Sequence, residues 1–326
     1  MSQEHFLVTG AMGCIGAWVV RCLVKAGTAV TALDASTDDH RLRLVLTDEE
    51  RAQVKQVRGD ITDLNAVEGV VKDHGITQLV HLAALQVPFC KADPSLGARV
   101  NVVGTVNLFE AARRAGIKRV VYASSIAVFG QSEDYPTELV QEDAAQRPHS
   151  LYGVYKQANE GTAQVYWWDY GISSVGLRPY IVYGPGRDQG MTSGATWAML
   201  AAAAGRAYRI PYGGKCGLNY VEDVARIFIQ SARIPLEGAE IFNLRGSIAE
   251  MGEVLAAIQQ AAPEAAGLIN FAPNQLAFPV GMDDRRLRSR MPELADTPLN
   301  EGVAATVAFF RQALQDGRVK PEQIPA

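Results

Sequence analysis

A tyrosine and a lysine four positions apart are the residues of this sequence best suited to acid–base chemistry. Tyr152 and Lys156 lie in SLYGVYKQANE, a segment that favours a helix, so the spacing places both side chains on one face about one turn apart. A phenol has a pKa of about 10 in water, which is too high for a base at neutral pH. Lowering it by about 3 units takes roughly 4 kcal/mol of phenolate stabilisation, part of which a nearby ammonium supplies. The pair predicts a proton acceptor or donor, although YxxxK alone is common in helices.

A glycine-rich turn near the start of the chain predicts a binding site for a dinucleotide. The apolar run HFLVT leads directly into GAMGCIG at 10–16 and then into a helix that begins near Ile15. Glycines allow positive φ and close backbone approach to a pyrophosphate, and the helix N-terminus offers unpaired N–H groups to the anion. The expected cofactor contacts in this turn are Gly10, Met12, Gly13, Cys14, Ile15 and Gly16.

Two acidic residues at strand ends bear on which dinucleotide is bound. Asp34 follows Gly16 by 18 positions, close to the offset of about 20 residues at which a carboxylate accepts hydrogen bonds from a ribose. It would repel a 2'-phosphate, and neither Lys nor Arg occurs between Asp34 and His40, so NAD is favoured over NADP. Asp60, beside Ile61, is expected either to cap a helix or to contact the adenine.

Alternating strands and helices must position these residues. Short apolar runs predict strands at 5–9, 29–34, 54–59, 78–83, 119–124 and 174–179, with amphipathic segments between them. Such strands, separated by helices, are typical of a parallel sheet that is covered on both faces. We therefore expect an α/β fold with a doubly wound parallel sheet of the Rossmann type.

The pattern changes after Pro179. The segment YIVYGPGRDQGMTSG is predicted to be a loop, followed by helices near 196–204 and 221–232, a strand near 240–244 and helices near 249–261 and 300–314. We expect a dinucleotide-binding domain over 1–179, rejoined by about 218–245. The segments 180–217 and 246–326 are expected to form a smaller, interleaved substrate-binding lobe.

Composition excludes several other classes of protein. The 31 basic and 35 acidic residues give a net charge of -4, which argues against binding to nucleic acid or to an anionic membrane. The longest apolar run, 197–204, is far shorter than the roughly 18 residues that cross a membrane, and the start of the chain does not resemble a secretory signal. The cysteines, Cys14, Cys22, Cys90 and Cys216, are too dispersed for a disulfide framework or a metal site. A reducing cytoplasm is the expected location.

Several further motifs lie in register along the chain. They are HLAA at 81–84, Asn101, YASSIAVFG at 122–130 and LRPYIVYGPG at 177–186, in addition to the glycine turn and YxxxK. In order and spacing the set resembles the extended short-chain dehydrogenase/reductase family, in its NAD-dependent epimerase/dehydratase group. The resemblance covers roughly 5–245 clearly. It implies the Rossmann fold, NAD as cofactor, a small-molecule substrate and a homodimer formed through the helices near 95–115 and 150–170.

The resemblance also implies a role for individual residues. Ser125 would hydrogen-bond the reacting hydroxyl while Tyr152 accepts or donates its proton, with Ser124 as the main competitor to Ser125. Lys156 would hold the nicotinamide ribose, and Asn101 would support the lysine. Further cofactor contacts would be Leu82, Ala83, Ala84 and Tyr180, and His81 is expected to be a buried strand histidine.

One departure from the family pattern concerns the substrate. Nucleotide-sugar members carry an arginine shortly before a V-E-D segment, and this chain has Cys216 there, with Lys215 beside it. A thiol does not replace a bidentate guanidinium, which puts a nucleoside-diphosphate substrate in doubt unless Lys215, Arg187 or Arg209 compensates. The segment 125–127 also lacks the acidic pair of dehydratases, so dehydration is disfavoured. By loop position, the expected substrate contacts are Gln86, Ser125, Ile126, Arg187 and Thr192.

Three functions remain open from the sequence. The leading hypothesis is an NAD-dependent dehydrogenase that acts on a secondary alcohol of a small sugar-derived compound, such as a sugar, a sugar acid or a polyol. The alternative is an NAD-dependent epimerase of a sugar or nucleotide sugar, which oxidises and then re-reduces its substrate. A cofactor-binding protein without chemistry is the third, and it is disfavoured because Tyr152 and Lys156 are both retained.

Overall fold

The computed structural model describes residues 4–294 and 296–325. Its strands are β1 (His5–Thr9), β2 (Ala29–Asp34), β3 (Lys55–Arg58), β4 (Gln78–His81), β5 (Arg119–Ala123), β6 (Leu139–Val140), β7 (Ser173–Arg178), β8 (Ile181–Tyr183), β9 (Tyr208–Ile210), β10 (Lys215–Tyr220), β11 (Ala239–Asn243), β12 (Ser247–Glu250), β13 (Ile269–Phe271) and β14 (Gly281–Met282).

Helices connect and cover these strands. They are α1 (Cys14–Lys25), α2 (His40–Val45), α3 (Asp48–Arg51), α4 (Leu64–Asp73), α5 (Val87–Ala92), α6 (Pro94–Ala98), α7 (Gly104–Ala115), α8 (Leu151–Tyr170), α9 (Gly194–Ala203), α10 (Val221–Arg233), α11 (Met251–Ala261), α12 (Arg285–Arg290) and α13 (Leu299–Gln315). One π-helical turn (Arg99–Val103) joins α6 to α7, and a 3₁₀ turn (Ile126–Val128) follows β5.

The central sheet has seven parallel strands in the order β11-β7-β5-β4-β1-β2-β3. From β1 the chain first builds outward through β2 and β3, then returns to the other side of β1 to place β4. The loops that follow β1 and β4 therefore leave the sheet in opposite directions and open a crevice at the carboxyl ends of these strands. The doubly wound Rossmann sheet that the sequence predicts is confirmed.

Strand β1 shows why its residues must be apolar on both sides. Phe6 and Val8 pack into one hydrophobic core, which includes residues of α1 and α10. Leu7, between them, packs into a second core with residues of α4 and α7. Successive side chains of a strand point to opposite faces, so a strand covered on both faces needs a continuous apolar run.

The segment after Pro179 differs from the prediction of a loop. Residues 181–183 form β8, which pairs in parallel with β10, and β12 completes this three-stranded sheet. Sequence analysis missed β8 because it is only three residues long and its partner lies more than 30 positions away. After β10 the chain returns to the central sheet through α10 and β11. The domain bounds assigned from the sequence stay a prediction.

We find no membrane-spanning candidate among the helices of the described residues: none is both long enough and apolar enough.

Candidate active site

The glycine turn lies against the end of β4. Gly10 has a φ of +67°, and a Cβ at this position would lie 2.5 Å from the Ala83 backbone nitrogen. A Cβ on Gly16 would lie 2.2 Å from the Gly10 carbonyl oxygen. The glycines are thus required by packing of the turn against β4 and of α1 against the turn. The first turn of α1 carries no side-chain cap within the described structure, which leaves its N–H groups free to bind an anion.

Replacing Gly16 by alanine is expected to disrupt this turn. A methyl group placed 2.2 Å from a backbone oxygen forces the backbone to move. We expect this to lower the free energy of unfolding by about 1–3 kcal/mol or more. The purified protein should also lose its dinucleotide, because the turn that binds it is displaced. Gly252→Ala is the matched control, since Gly252 also lies in the first turn of a helix but has nothing within 4 Å of the added Cβ. Thermal unfolding and the nucleotide released on denaturation measure both effects; a Gly16→Ala protein that behaves like Gly252→Ala would contradict this interpretation.

Asp34 links the end of β2 to the glycine turn. One oxygen of its carboxylate accepts a hydrogen bond from the Met12 N–H at 2.9 Å, and the other accepts one from the Ser36 N–H at 2.9 Å. Each oxygen keeps a further lone pair. The carboxylate is therefore held in place beside the turn with acceptor capacity left for ribose hydroxyls.

Ser125, Tyr152 and Lys156 meet where β5 ends and α8 begins. Ser125 is the second residue after β5 and accepts a hydrogen bond from the Ala127 N–H at 3.1 Å, which starts the 3₁₀ turn. Ser150 caps α8 through the Gly153 N–H at 3.1 Å, so Tyr152 lies in the first turn of this helix. The Lys156 Nζ lies 5.5 Å from the centre of the Tyr152 ring. The three side chains that the sequence predicted to act together are thus close neighbours.

The protein by itself disfavours the ionised phenol. Burial raises the pKa of Tyr152, and contact with the Ser125 hydroxyl together with the positive charge of Arg187 opposes this rise. Burial also lowers the pKa of Lys156 to about 8, which the Glu160 carboxylate opposes. The Lys156 ammonium has one hydrogen bond within the described structure, to the Ala123 carbonyl oxygen at 2.7 Å. Its other two N–H groups remain available to a bound ribose.

Asn101 lies in the π-helical turn, and its side chain does not bond directly to Lys156 in the described structure. Its amide accepts from the Leu85 N–H at 2.7 Å and donates to the Leu85 carbonyl at 2.9 Å. It thereby fixes the loop after β4, one residue before Gln86. The supporting role toward Lys156 that the resemblance implies stays a prediction.

His81 is held by hydroxyl groups on both sides. Its Nδ1 lies 2.7 Å from the Thr9 hydroxyl and its Nε2 lies 3.1 Å from the Thr105 hydroxyl, which itself donates to the Asn101 carbonyl at 2.7 Å. Since Thr105 uses its proton on Asn101, it accepts from His81, so Nε2 carries the proton. Burial lowers the pKa of His81 to about 3. A neutral histidine thus connects the end of β1 to the π-helical turn.

A buried ion pair lies behind the catalytic candidates. The Arg178 guanidinium donates to Glu160 through Nε at 2.8 Å and Nη2 at 2.7 Å, and the two side chains are 2% and 6% exposed. The Ser124 hydroxyl donates to the same carboxylate. The Ser124 hydroxyl is therefore used by the buried ion pair, whereas Ser125 lines the cleft. Sequence analysis did not single out Glu160 or Arg178, although Arg178 lies within the LRPYIVYGPG motif.

The cleft at this point is formed by residues from six separate parts of the chain. All of the substrate contacts predicted from the sequence line this cleft, namely Gln86, Ser125, Ile126, Arg187 and Thr192. Three residues predicted as cofactor contacts, Ile15, Tyr152 and Tyr180, line it as well. Sequence analysis missed the other lining residues, which are Val87, Pro88, Ala127, Pro179, Val182, Met191 and Phe278. Phe278 had no local signal, because it lies in an irregular segment nearly 100 positions after Tyr180, whose hydroxyl donates to the Pro279 carbonyl at 2.8 Å.

A second ionic cluster lies next to the cleft and joins three loops. Arg41 donates to the Met12 carbonyl at 2.9 Å, to the Gly186 carbonyl at 3.1 Å and to the Asp188 carboxylate at 3.0 Å. The His40 Nε2 lies 2.8 Å from the other oxygen of Asp188. We call His40, Arg41 and Asp188 the latch. It fixes the loop after β8 to the glycine turn and to the start of α2.

Other predicted cofactor contacts lie around the same crevice. Asp60 is exposed and accepts from the Thr62 N–H at 2.8 Å, a local turn contact. Ile61 is buried, and its carbonyl accepts from the Asn107 amide at 2.9 Å. Leu82, Ala83 and Ala84 follow β4 and are partly buried. Their contacts with a cofactor stay a prediction.

Cys216 and Lys215 do not contribute a cation to the cleft. The Cys216 side chain is buried in β10, where burial raises the pKa of its thiol to about 12. Lys215 is paired with Glu138 at the surface. Among the described residues that line the cleft, Arg187 is the one cation.

Comparison with known proteins agrees with this geometry. The model of the family "NAD dependent epimerase/dehydratase family" matches residues 6–244. The chain belongs to this family. It is an NAD-dependent enzyme of the extended short-chain dehydrogenase/reductase type, as the motifs predicted.

Relatives cover nearly the whole chain. A UDP-glucose 4-epimerase of Mycolicibacterium smegmatis is 33% identical over 316 residues, which are 95% of this chain and 99% of that protein. A UDP-glucose 4-epimerase of Thermus thermophilus, solved with NAD, has a TM-score of 0.81 and 29% identity over 95% of this chain and all of that one. An L-threonine dehydrogenase of Cupriavidus necator has a TM-score of 0.80 and 25% identity, over 94% of this chain and 99% of that one.

The residues present fit NAD. The glycine turn leaves uncapped N–H groups at α1 for the pyrophosphate, and Asp34 has free acceptor capacity for a ribose. Lys156 is buried and has two unused N–H groups. Together these groups offer hydrogen-bond partners for the pyrophosphate and the two riboses of a dinucleotide.

Proposed function

We propose that the chain is an NAD-dependent epimerase that inverts a secondary alcohol of a sugar-derived substrate. The observation that carries this proposal is the match to a UDP-glucose 4-epimerase over 95% of this chain and 99% of that protein. It supports the alternative from the sequence analysis better than the dehydrogenase that was put first there. The complete set of Ser125, Tyr152 and Lys156 supports the chemistry.

The side chains would divide the proton chemistry among them. NAD, when bound, supplies a carbon that accepts a hydride and later returns it. Ser125 holds the reacting oxygen, and Tyr152 takes the hydroxyl proton when the alcohol is oxidised and returns it when the ketone is reduced. The Lys156 ammonium stabilises the phenolate form that accepts this proton, and so offsets the burial that raises the pKa of Tyr152. An epimerase needs this tyrosine to work in both directions.

The experiment that tests the proposal follows the substrate and the cofactor together. The purified protein is incubated with an excess of NAD and with UDP-glucose, UDP-glucuronate or a free sugar, and epimers are detected by proton NMR. We expect epimer formation while NADH absorbance at equilibrium stays below one equivalent of enzyme, because each hydride is returned. Product that accumulates together with stoichiometric NADH would contradict an epimerase and support a dehydrogenase.

A dehydrogenase remains the second candidate, because the cleft has one cation among its described lining residues. A nucleoside diphosphate is usually bound by more positive charge than a single arginine provides. The similarity to an L-threonine dehydrogenase at 25% identity favours this candidate as well. The NADH measurement above separates the two functions.

We also propose that the protein is a homodimer, as the resemblance implies. Helix α8 exposes residues at alternating intervals of three and four, namely Leu151, Val154, Ala158, Gly161, Val165 and Trp168. This spacing forms one apolar stripe, and Trp168 is 71% exposed. A helix with such a stripe is suited to pack against the same helix of a second copy. A cytoplasmic location stays a prediction.

Replacing Val154 and Val165 by glutamate should convert the dimer to a monomer. Each change places a charge in the apolar stripe of α8, where two copies would bring the charges together and desolvate them. Light scattering coupled to size-exclusion chromatography measures the mass. Ala52→Glu, at an exposed position outside the stripe, should leave the mass at twice that of the chain, and a double variant that stays dimeric would rule out this interface.

A further inference from the structure

We propose that Arg187 binds a carboxylate of the substrate, so that the enzyme acts on a sugar acid. This inference rests on the proposed function, because it names the substrate class of the same cleft. It is carried by the hydrogen bonding of Arg187, by the partners of the neighbouring Asp188 and by the small amount of positive charge in the cleft.

The Arg187 guanidinium lacks the partners that it needs. Its Nε is buried and has no hydrogen-bond partner in the described structure. One terminal nitrogen, Nη2, donates to the Thr192 hydroxyl at 3.1 Å. A buried guanidinium N–H without an acceptor is costly. The side chain lines the same cleft as Ser125 and Tyr152, so a ligand that binds there meets a guanidinium whose hydrogen-bonding capacity is not fully used.

The nearest acidic residue in sequence does not neutralise Arg187. Asp188 is bound by the other two members of the latch, Arg41 and His40. Although burial acts in the opposite direction, the hydrogen bonds from His40 and Arg41 hold the pKa of Asp188 below its usual value. Its negative charge is therefore directed toward α2. The latch leaves the positive charge of Arg187 for a ligand.

The remaining lining groups fit a carboxylate better than a diphosphate. A carboxylate is planar and accepts two parallel N–H bonds from one edge of a guanidinium. The neutral side chains of Thr192 and Gln86 lie beside Arg187 and line the same cleft. A diphosphate has more charge than one arginine offsets, and Lys215 is held at the surface by Glu138. One cation with neutral donors is suited to one negative charge.

The carboxylate would lie close to the reacting carbon. Arg187, Ser125 and Tyr152 line the same cleft. A substrate that binds Arg187 by its carboxylate therefore extends along the cleft toward Ser125 and Tyr152. This geometry orients the secondary alcohol for proton transfer.

Two matched substrate pairs test the inference with the NAD-loaded enzyme. The pairs are glucuronate against glucose, and UDP-glucuronate against UDP-glucose, so that each differs only by the carboxylate. We expect the acid of at least one pair to react and its neutral partner to have a kcat/KM at least 10-fold lower, roughly.

In Arg187→Gln, the KM for the acid should rise by roughly 10–100-fold with a smaller change in kcat. Arg187→Lys keeps the charge but not the bidentate edge, and it should recover only part of the loss.

Arg206→Gln is the matched control, because it removes the same charge at an exposed position after α9 that does not line the cleft. Equal reactivity of acid and neutral partners, or an unchanged KM in Arg187→Gln, would overturn the inference while leaving the epimerase intact. If no sugar reacts, the proposed function fails instead. Calorimetric binding of glucuronate then decides the carboxylate site alone: binding that Arg187→Gln abolishes supports it, and no binding to the parent protein refutes it.

Discussion

Tyr152→Phe is expected to lower kcat by about 10²–10⁴-fold, the usual contribution of a positioned acid–base group. The change removes one oxygen atom and leaves the ring beside Lys156, where the Nζ lies 5.5 Å from the ring centre. The fold and the bound dinucleotide should therefore be retained. Steady-state kinetics, together with the nucleotide content of the variant, measure the effect.

Tyr155→Phe is the matched control for this variant. Tyr155 lies on the same helix, but its hydroxyl donates to the Pro94 carbonyl at 2.9 Å, away from the cleft. Its loss should cost about 1 kcal/mol of stability at most, with little change in kcat. If Tyr152→Phe is as active as Tyr155→Phe, then the phenol is not the proton carrier, and a cofactor-binding protein without chemistry becomes the better interpretation.

Glu160→Leu is expected to destabilise the protein by about 3–5 kcal/mol, because it leaves a buried guanidinium without its counter-charge. The Arg178 side chain is 2% exposed and has two hydrogen bonds to Glu160. Its remaining acceptors are the Glu142 carbonyl at 2.9 Å and Asn243 at 3.4 Å, and both are uncharged. Urea unfolding followed by circular dichroism measures the change in the free energy of unfolding.

The double variant Glu160→Leu/Arg178→Met separates charge from packing. Since both charges are removed together, we expect it to be much more stable than Glu160→Leu and within about 1–2 kcal/mol of the parent protein. Glu222→Gln breaks a partly exposed pair with Arg226 and should cost less than about 1 kcal/mol. A double variant as unstable as Glu160→Leu would show that shape, and not the unpaired charge, dominates at this site.

Local patterns were sufficient to predict the central sheet and the catalytic candidates. The strand predicted at 5–9 matches β1, and the Tyr152 and Lys156 spacing predicted their common helix face. Both are set by residues within a few positions of each other. In the same way, an apolar run that ends in a glycine turn carries its own signal for a strand, a turn and a helix.

What sequence analysis missed depends on residues that are far apart along the chain. The latch joins Arg41 to Asp188, which are separated by 147 positions, and each side chain alone is typical of a surface loop. The Glu160 and Arg178 pair is 18 positions apart and spans a helix and a strand. Strand β8 needs β10 as its partner. No local periodicity encodes such contacts, since they arise only once the sheet has brought the segments together.

The path of the chain between its sheets limits where the protein can be divided into stable fragments. All six residues of β7 are buried, and its outer neighbour β11 comes from residues 239–243. A fragment that ended at residue 179 would include the glycine turn and the catalytic candidates but would lack β11. Its β7 would then be an exposed sheet edge with unpaired N–H and C=O groups, which promotes aggregation. The fragment that ends at residue 179 should therefore aggregate when it is produced alone, and co-expression of the segment after residue 179 should restore its solubility.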